Sequence, residues 1–442
     1  MTTSATSGSS LSGLNDTPSG ERVHIAFFGL RNAGKSSLVN AVTGQDLAVV
    51  SDVKGTTTDP VKKAMELLPL GPVVIIDTPG LDDEGPLGEL RVKRALNVLA
   101  SCDVAVLVHD ANNIFTQAES DLIKIFHEKN LPFIIANNKI DLLTGNRQYL
   151  KNPCAPCEGG EGQLAGEGVV SLQEGRETAK ESFPNSLNVS ALTGENINAL
   201  KEKLAALAKK NAPEKKLVAD LLTPGDVVIL VVPVDKAAPK GRLILPQQQT
   251  IRDILDARCS AFVVQDTELE KILSVLNVKP RLVITDSQVF GKVNKIVPRE
   301  ILLTSFSILF ARYKGSLKIL VEGAEKLERL KTGDKVLISE GCTHHRQCGD
   351  IGTEKIPSWV KNFCKAEPEF SFTSGGEFPS EDELKNFELI IHCGGCMLNE
   401  QEMQSRIKRA VNAGVKIVNY GIAIAHMHGI LKRSLEPFNF SV

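Results

Sequence analysis

The chain has little of what membrane-spanning or nucleic-acid-binding proteins need. Its longest apolar run, residues 227–234, falls far short of the roughly 20 residues that a membrane-spanning helix requires. Positive charge is not in excess, because 51 Lys and Arg face 53 Asp and Glu, a formal net charge of −2 at pH 7. Without a basic field to attract phosphate backbones, we expect no nucleic-acid partner, and we expect no membrane partner either.

Residues 1–20 contain no Lys or Arg and are rich in Ser, Thr and Gly. They lack the charged start of a signal peptide and the Arg-rich face of a transit peptide, so we expect a disordered tail. The nine cysteines are few for 442 residues, and several stand in CxxC or CxH spacing. That pattern favours metal binding in a reducing compartment over a disulfide framework, and it predicts a cytoplasmic protein.

A phosphate-binding loop stands near the beginning of the chain. An apolar run over residues 23–28 leads into Gly29-Leu30-Arg31-Asn32-Ala33-Gly34-Lys35-Ser36, and a helical pattern follows. This is the P-loop in its strand, loop and helix context, in which backbone amides approach phosphates and a lysine adds positive charge. The predicted phosphate-binding residues are Gly29, Asn32, Ala33, Gly34, Lys35, Ser36 and Ser37.

Two further segments complete a predicted magnesium and hydrolysis site. A buried-strand pattern ends in Asp77-Thr78-Pro79-Gly80, where Asp77 can hold Mg²⁺ through water and the Gly80 amide can sense the γ-phosphate. Residues 55–59 form a candidate switch in which Thr57 is the predicted magnesium ligand. Ser36, Thr57 and Asp77 are thus the magnesium ligands, and Lys35, Thr57, Asp77 and Gly80 the catalytic residues. Leu81 replaces the glutamine that orients water in Ras-like enzymes, which predicts slow hydrolysis.

Guanine recognition is predicted where the next apolar strand pattern ends, at Asn138-Lys139-Ile140-Asp141. The Asp141 carboxylate can accept both guanine N1–H and the 2-amino group, a pairing that adenine does not offer. The predicted base-closing loop consists of Ser190, Ala191 and Leu192. The chain therefore begins with a GTP-binding domain.

The middle of the chain predicts an insertion followed by a small α/β unit. Cys154 and Cys157 stand in a Gly-rich stretch and are either half a zinc site or, as we favour, an incidental loop feature. After a polar linker at 209–216, strands at 227–234, 261–265 and 281–285 alternate with helices at 250–259 and 268–276. This unit carries no catalytic constellation. Its Val- and Ile-rich strand at 226–234 suggests an exposed edge for self-association.

The last part predicts a parallel, doubly wound sheet with a metal site at its carboxyl edge. We expect helices at 301–313, 316–330 and 400–413, and strands at 335–339, 389–391 and 415–418. One strand ends three residues before Cys342, and another ends at His392, directly before Cys393-Gly394-Gly395-Cys396. The two strand ends should bring Cys342, Cys393 and Cys396 together.

Three thiolates and one weaker ligand suit either a four-iron cluster with a labile corner or a Cys3His zinc site. The bland alternative is a strand-to-helix turn with buried thiols. His344, His345 and His392 are each a candidate ligand, hydrogen-bond partner or solvated side chain, with His344 or His392 the possible fourth ligand. Cys348 and Cys364 are treated as bystanders.

The GTP-binding motifs resemble those of the TrmE and Era group of GTPases. The corresponding switch in that group reads Gly-Thr-Thr-Arg-Asp, and here Thr58 replaces the arginine. Potassium-activated members carry an asparagine at the position of Asn32, so the resemblance implies a monovalent cation site. The alternative is that Asn32 stabilises the loop.

With Cys-x-His and His-Cys-x-x-Cys about 50 residues apart, the whole chain resembles the HydF family of [FeFe]-hydrogenase maturation GTPases. The resemblance implies a 4Fe-4S cluster on Cys342, Cys393 and Cys396 and a homodimer formed through the middle domain. It also implies a scaffold that receives a di-iron precursor from radical SAM maturases and passes it to apo-hydrogenase. The insertion at 154–168 and the extra His345 depart from the family pattern. A ribosome- or RNA-associated GTPase with a structural zinc domain is the alternative function, and a metal-free interaction protein is a third.

The predicted fold class is α/β throughout. The expected divisions are a tail at 1–20, a TrmE/Era-like GTPase domain at 21–210 with an insertion at about 147–170, a dimerisation domain at 217–295, and a cluster-binding domain at 296–442.

Overall fold

A computed structural model describes residues 17–45, 61–80, 97–143, 185–210, 215–234, 243–341 and 350–440. The chain divides into two compact units. The first spans residues 23–211, and the second combines residues 1–22 with 212–442. Within the described ranges, no helix is both long and apolar enough to cross a membrane.

The first unit is built on a six-stranded sheet in the order β2-β3-β1-β4-β5-β6. All neighbouring strands are parallel except β2, which is antiparallel to β3. The strands are β1 (Val23–Phe28), β2 (Val61–Leu67), β3 (Gly71–Asp77), β4 (Val104–Asp110), β5 (Phe133–Asn138) and β6 (Ser186–Asn188). The described helices are α1 (Lys35–Thr43), α2 (Gln117–Glu128) and α3 (Ile197–Lys210).

The central strands of this sheet are buried on both faces, as their continuous apolar sequences require. In β1 and β4, for example, every residue but the first of β1 and the last of β4 is buried. Separate clusters of apolar side chains pack on the two faces of the sheet. The carboxyl ends of β1, β3, β4 and β5 therefore deliver polar side chains to one edge.

The second unit contains two parallel sheets, the first in the order β10-β9-β7-β8. Its strands are β7 (Val227–Val231), β8 (Ser260–Val264), β9 (Leu282–Thr285) and β10 (Leu302–Ser305). The associated helices are α4 (Leu245–Asp256), α5 (Leu269–Val275), α6 (Phe290–Ile296) and α7 (Phe306–Lys314).

Two expectations for this region were wrong. The helix expected at 301–313 begins only at Phe306, because residues 302–305 form the strand β10. β10 pairs with β9 as the fourth strand of this sheet, so the sheet extends past residue 295, the expected end of the domain. The strand expected to expose an edge, β7, lies between β9 and β8 and is almost wholly buried. The exposed edge is β8.

The second sheet has the order β12-β11-β13-β14 and is parallel throughout, as the alternating sequence pattern predicts. Its strands are β11 (Lys335–Ser339), β12 (Glu369–Thr373), β13 (Leu389–His392) and β14 (Lys416–Asn419). The helices are α8 (Leu317–Ala324), α9 (Ile356–Cys364), α10 (Glu381–Leu384), α11 (Glu400–Asn412), α12 (Tyr420–Met427) and α13 (Leu431–Leu435).

The disordered tail expected at residues 1–20 was wrong for its last residues, which are ordered. Residues 19–21 form a turn of 3₁₀ helix, and Gly20 is buried. Residues 1–16 lie outside the described residues. The segment from Thr17 to Arg22 belongs to the second unit, although it directly precedes the first strand of the first unit.

Candidate functional site

The P-loop follows β1 and is shaped by two glycines in the left-handed region. Gly29 has φ of +150°, and a Cβ there would lie 2.3 Å from the Val108 carbonyl oxygen of β4. Gly34 has φ of +88°, and a Cβ would lie 2.4 Å from Asn138 Nδ2. Larger residues are excluded at both positions, so the loop backbone packs directly against the ends of β4 and β5.

Lys35 is the first residue of α1 and is buried, with 8% of its surface exposed. Its Nζ donates to the carbonyl oxygens of Gly29 at 3.0 Å and Leu30 at 2.7 Å. The ammonium group is thus held inside the curl of the loop, where it faces the phosphates of a bound nucleotide.

Ser36 and Asp77 form the described part of the predicted magnesium site. Ser36 Oγ donates to Asp77 Oδ2 at 2.7 Å, across the ends of β1 and β3. Burial raises the pKa of Asp77, although the hydrogen bond from Ser36 and the charge of Lys35 oppose that shift. Asp77 Oδ1 is buried and has no hydrogen-bond partner among the described residues. A buried carboxylate oxygen beside a hydroxyl suits a magnesium ion with its water shell.

Asn138 joins three of the predicted segments. Its Nδ2 donates to the Ala33 carbonyl oxygen of the P-loop at 3.1 Å, and its Oδ1 accepts from the Ala191 amide at 3.0 Å. Ser190 Oγ donates to Asp141 Oδ1 at 2.5 Å. One asparagine thereby fixes the phosphate loop to the base-closing loop, and one serine orients the carboxylate predicted to read guanine.

Asp110, at the end of β4, is a site residue that the sequence analysis missed. Lys139 has φ of +65° and donates from Nζ to Asp110 Oδ2 at 2.8 Å. Burial alone would raise the pKa of Asp110, but hydrogen bonds from Lys139 and Asn112 outweigh it and hold that pKa below its ordinary value. The available signal was its place as a polar residue ending a buried strand, the same place that identified Asp77 and Asn138.

The structure gives less information on the remaining predicted site residues, and several of them lie outside the described ranges. Asn32 has φ of +60°, a conformation that asparagine tolerates, and this backbone geometry does not distinguish the monovalent cation site from loop stabilisation. Gly80 follows β3 as expected, and Leu192 is 84% exposed. Lying outside the described residues are Thr57, Thr58, Leu81, Cys154, Cys157, Cys342, His344, His345 and Cys348.

The cysteine loop, residues 393–398, begins where β13 ends. β11 and β13 are parallel neighbours in which Ser339 is paired with His392. The Cys393 amide donates to the Ser339 carbonyl oxygen at 2.9 Å, and the Gly341 amide donates to Cys393 Sγ at 3.0 Å. Residue 341, the last described residue before Cys342, is therefore in contact with the Cys393 sulfur.

Glycine shapes the loop between its two cysteines. Gly395 has φ of +65°, and its amide lies 3.4 Å from Cys393 Sγ as a second donor. Two amide donors stabilise a thiolate, which is the form that binds iron or zinc. Cys393 and Cys396 are both partly exposed and free of disulfides. The donor set fits a thiolate-bound metal centre.

His392 does not fit the role of fourth ligand. It is fully buried, and Arg406 Nη1 lies 3.1 Å from its Nε2. A guanidinium group only donates, so Nε2 must accept, and the proton on Nδ1 is directed at the Cys393 carbonyl oxygen 2.8 Å away. Burial, with the charge of Arg406, lowers the pKa of His392 to about 3. Both ring nitrogens are engaged, so His392 is a neutral hydrogen-bonding residue of the loop.

Lys314, at the end of α7, is a second residue that the sequence analysis missed. It is 2% exposed, and its Nζ donates to the carbonyl oxygens of Cys396 at 3.1 Å and Leu398 at 2.8 Å. Burial raises the pKa of Cys396, and the charge of Lys314 opposes that shift. Burial likewise lowers the pKa of Lys314. No sequence motif identifies Lys314, because only the tertiary fold brings it close to the cysteines.

Three family models match successive parts of the chain. Residues 24–139 match the model described as 50S ribosome-binding GTPase. Residues 217–315 match the hydrogen maturase F dimerization domain, and residues 318–437 match the hydrogen maturase F tetramerization domain. The first unit therefore contains a GTPase domain, and the expected likeness to the hydrogenase-maturation GTPases is confirmed.

Individual relatives and solved structures match only part of the chain. GTPase Der of Clostridium acetobutylicum is 33% identical over 136 residues, which are 30% of this chain and 31% of the relative. The tRNA modification GTPase MnmE of a Synechococcus strain is 35% identical over 159 residues, 35% of this chain and 33% of the relative. The chain thus spans about a third of the length of these relatives. A solved structure of Aquifex aeolicus Era bound to GDP·AlF4⁻ is 18% identical, with a TM-score of 0.33, and the match covers 57% of this chain and 98% of that one.

Proposed function

Because the chain belongs to the hydrogen maturase F family, we propose that it is a GTP-hydrolysing scaffold for assembly of the [FeFe]-hydrogenase active site. In this proposal it binds a 4Fe-4S cluster, receives a di-iron precursor from radical SAM maturases and delivers that precursor to apo-hydrogenase. The GTPase domain controls the timing of loading or release.

The observation that carries this proposal is the contact between Gly341 and Cys393. The Gly341 amide donates to Cys393 Sγ, so the residue before Cys342 contacts the first cysteine of the cysteine loop. The proposal takes Cys342, the next residue along the chain, as the third cluster ligand beside Cys393 and Cys396. The adjacent ends of β11 and β13 supply the rigid support for the site.

Three cysteines would hold the cluster, which supplies one iron with an exchangeable ligand position when bound. We assign that position to His344 or an exchangeable group, since His392 already uses both ring nitrogens. The amides of Gly341 and Gly395 stabilise the Cys393 thiolate, and Arg406 holds His392 against the loop backbone. Three protein thiolates in place of four suit a site that exchanges cargo.

In the nucleotide site, Lys35 binds the phosphates while Ser36, Thr57 and Asp77 hold Mg²⁺. Asp141 recognises guanine, and the Ser190 hydroxyl fixes the carboxylate for that contact. Because Leu81 offers no side chain to orient water, hydrolysis is slow and serves as a switch. Asn32 supplies a ligand for a potassium ion that accelerates it.

Self-association uses the edge of the first sheet in the second unit. Among the residues that the structure describes, β8 pairs only with β7, and Phe262 and Val263 on β8 are 39% and 44% exposed. An apolar edge strand with unpaired backbone groups is suited to pairing with a second copy. We therefore place the homodimer contact on β8.

Anaerobic purification of the wild-type chain and of Cys393→Ser tests the cluster. We expect broad visible absorption with iron and sulfide in the wild type, and loss of most iron in Cys393→Ser with GTP hydrolysis retained. Cys364→Ser, which changes a cysteine at the end of α9, is the matched control and should retain its iron. A colourless protein containing zinc would favour the ribosome- or RNA-associated alternative. A metal-free protein would leave only a nucleotide-dependent interaction protein.

A further inference from the structure

Residues 17–22 form a compact turn, which we call the strap. The Glu21 amide donates to the Pro18 carbonyl oxygen at 3.0 Å, and the Arg22 amide donates to that of Ser19 at 3.3 Å. Arg22 is buried, and its Nε closes the turn by donating to the Thr17 carbonyl oxygen at 2.7 Å. These bonds make the strap a small folded element of its own.

The strap lies directly on the cysteine loop. Gly20 is buried, and a Cβ at this residue would lie 2.6 Å from the Leu398 carbonyl oxygen and 3.0 Å from that of Cys396. The φ of Gly20 is not in the left-handed region, so the backbone conformation does not require glycine here. What requires glycine is the close approach to the loop carbonyls.

Lys314 binds the same two carbonyl oxygens that Gly20 covers. Its Nζ donates to Cys396 at 3.1 Å and to Leu398 at 2.8 Å. Burial lowers the pKa of Lys314, and the charges of Glu21 in the strap, of Cys396 and of Glu400, the first residue of α11, oppose that shift. The loop on the Cys396 side is thus fixed by a cation from α7 and by the strap.

The strap continues without a linker into the GTPase domain. Arg22 is followed by Val23, the first residue of β1, and β1 ends one residue before Gly29 of the P-loop. At that end, the Thr78 hydroxyl donates to the Phe27 carbonyl oxygen at 2.7 Å, which ties β1 to the segment after Asp77. The strap and the P-loop are thus connected along the chain by the six residues of β1.

We propose that Gly20 and Lys314 are positioning residues for the Cys396 side of the cysteine loop, and that the strap transmits the nucleotide state of the GTPase domain to Cys396. This proposal rests on the proposed function for its biological role, since Cys396 is there a cluster ligand. It gives the GTP switch a physical route to the cluster site. The route needs neither a second copy of the chain nor another protein.

Alkylation of Cys396 by iodoacetamide in the full-length, cluster-free chain tests the strap. The rate is followed by mass spectrometry with fragmentation that separates Cys396 from Cys393, first with Mg²⁺ and GDP and then with Mg²⁺ and a non-hydrolysable GTP analogue. We expect the two rates to differ by about fivefold or more, the usual lower range of coupling between two sites. Equal rates in the two nucleotide states would overturn the proposal.

Gly20→Val prevents the strap from packing against the carbonyl oxygens of the cysteine loop. We expect Cys396 to react faster in this variant and at the same rate in both nucleotide states. Gly376→Val is the matched control, because a Cβ at Gly376 meets no atom within 4 Å, and it should behave as wild type. Retained nucleotide dependence in Gly20→Val would contradict the role of the strap.

Lys314→Gln provides a second test in which the strap sequence is intact. It removes the positive charge that binds the carbonyl oxygens of Cys396 and Leu398, so Cys396 should again react faster with iodoacetamide. An unchanged alkylation rate would contradict the positioning role of Lys314. None of these measurements requires iron. Their failure is therefore distinct from failure of the cluster proposal, which the iron content of Cys393→Ser decides.

Discussion

At the scale of single residues, both sites depend on polar side chains that follow buried strands. Asp77, Asp110 and Asn138 end β3, β4 and β5, and each contacts the P-loop or the lysine of the base-recognition segment. Sequence patterns identify Asp77 and Asn138 because each begins a known motif. Asp110 belongs to no such motif, and its partner Lys139 is 29 positions away.

Residues that act through others are harder to find from the sequence. His392 stands beside Cys393, and adjacency alone made it a candidate ligand. Its real partner, Arg406, lies on the buried face of α11, 14 positions later, and occupies one ring nitrogen. Lys314 reaches the loop from a different sheet layer, 82 positions before Cys396. Such contacts depend on tertiary packing, which local periodicity does not encode.

The buried pair of His109 and Glu119 gives a prediction at this scale. Glu119 is 1% exposed, caps α2 with Thr116 and lies 2.9 Å from His109 Nδ1. Burial would raise the pKa of Glu119, but the hydrogen bonds from His109 and Thr116 outweigh it, and the pKa is lowered. A lowered carboxyl pKa stabilises the fold above the unfolded value of about 4.3 and loses that contribution as the pH falls through the folded value.

Glu119→Gln should therefore destabilise the first unit by about 1–3 kcal/mol at pH 7, as expected for a buried hydrogen bond to a charged group. The difference in free energy of unfolding between this variant and the wild type should become smaller as the pH falls below about 4.3. Thermal unfolding of this unit by calorimetry at a series of pH values measures both effects. Asp121→Asn, which changes an exposed carboxylate of the same helix, should have little effect at any pH.

At the scale of elements, the order of strands within a sheet decides which ones are exposed. Residues 227–231 and 260–264 both have strand-forming sequences, but only the first is a continuous apolar run of the kind that central strands have. The sequence pattern also predicts a single helix over Leu302–Ser305 and the helix that follows it. Both segments mix apolar and polar residues, and four residues are too few for a period of two to be distinguished from a helical period.

Val263→Lys tests the edge of β8 as the dimer contact. A lysine there places like charges near each other in a symmetric strand pair, so we expect dimer affinity to fall by roughly tenfold or more. Sedimentation velocity over a range of protein concentrations measures the change. Val275→Lys is the control, because Val275 is 60% exposed at the end of α5 and lies outside the sheet. Equal behaviour of the two variants would remove β8 from the interface.

At the scale of the whole molecule, the sequence predicts the α/β class and the doubly wound parallel sheet at the end of the chain, and both are confirmed. These features follow from alternating strand and helix patterns, which are local. The division of the chain into units was harder to predict, because residues 17–22 pack with a unit that otherwise begins at 212. A short polar segment before the first strand looks like a tail unless its distant packing partner is known.

We expect the nucleotide site and the cluster site to be chemically separable, although we propose that the strap couples them. Lys35→Ala removes the buried ammonium from the P-loop, and GTP affinity should fall roughly a hundredfold, since hydrogen bonds to charged groups contribute about 1.5–3 kcal/mol each. Iron and sulfide content should stay at the wild-type level. Lys124→Ala, an exposed position on α2, should change neither property. Loss of the cluster in Lys35→Ala would show that nucleotide binding is needed to build the site.

The close packing of Gly20 against Leu398 has a consequence for folding during synthesis of the chain. The strap is synthesised before the GTPase domain, but the carbonyls that receive it belong to the cysteine loop and are synthesised after that domain. The GTPase domain can fold in the meantime, whereas the strap can dock only once the cysteine loop has been made. A product truncated before the cysteine loop therefore keeps an undocked strap that a protease can reach.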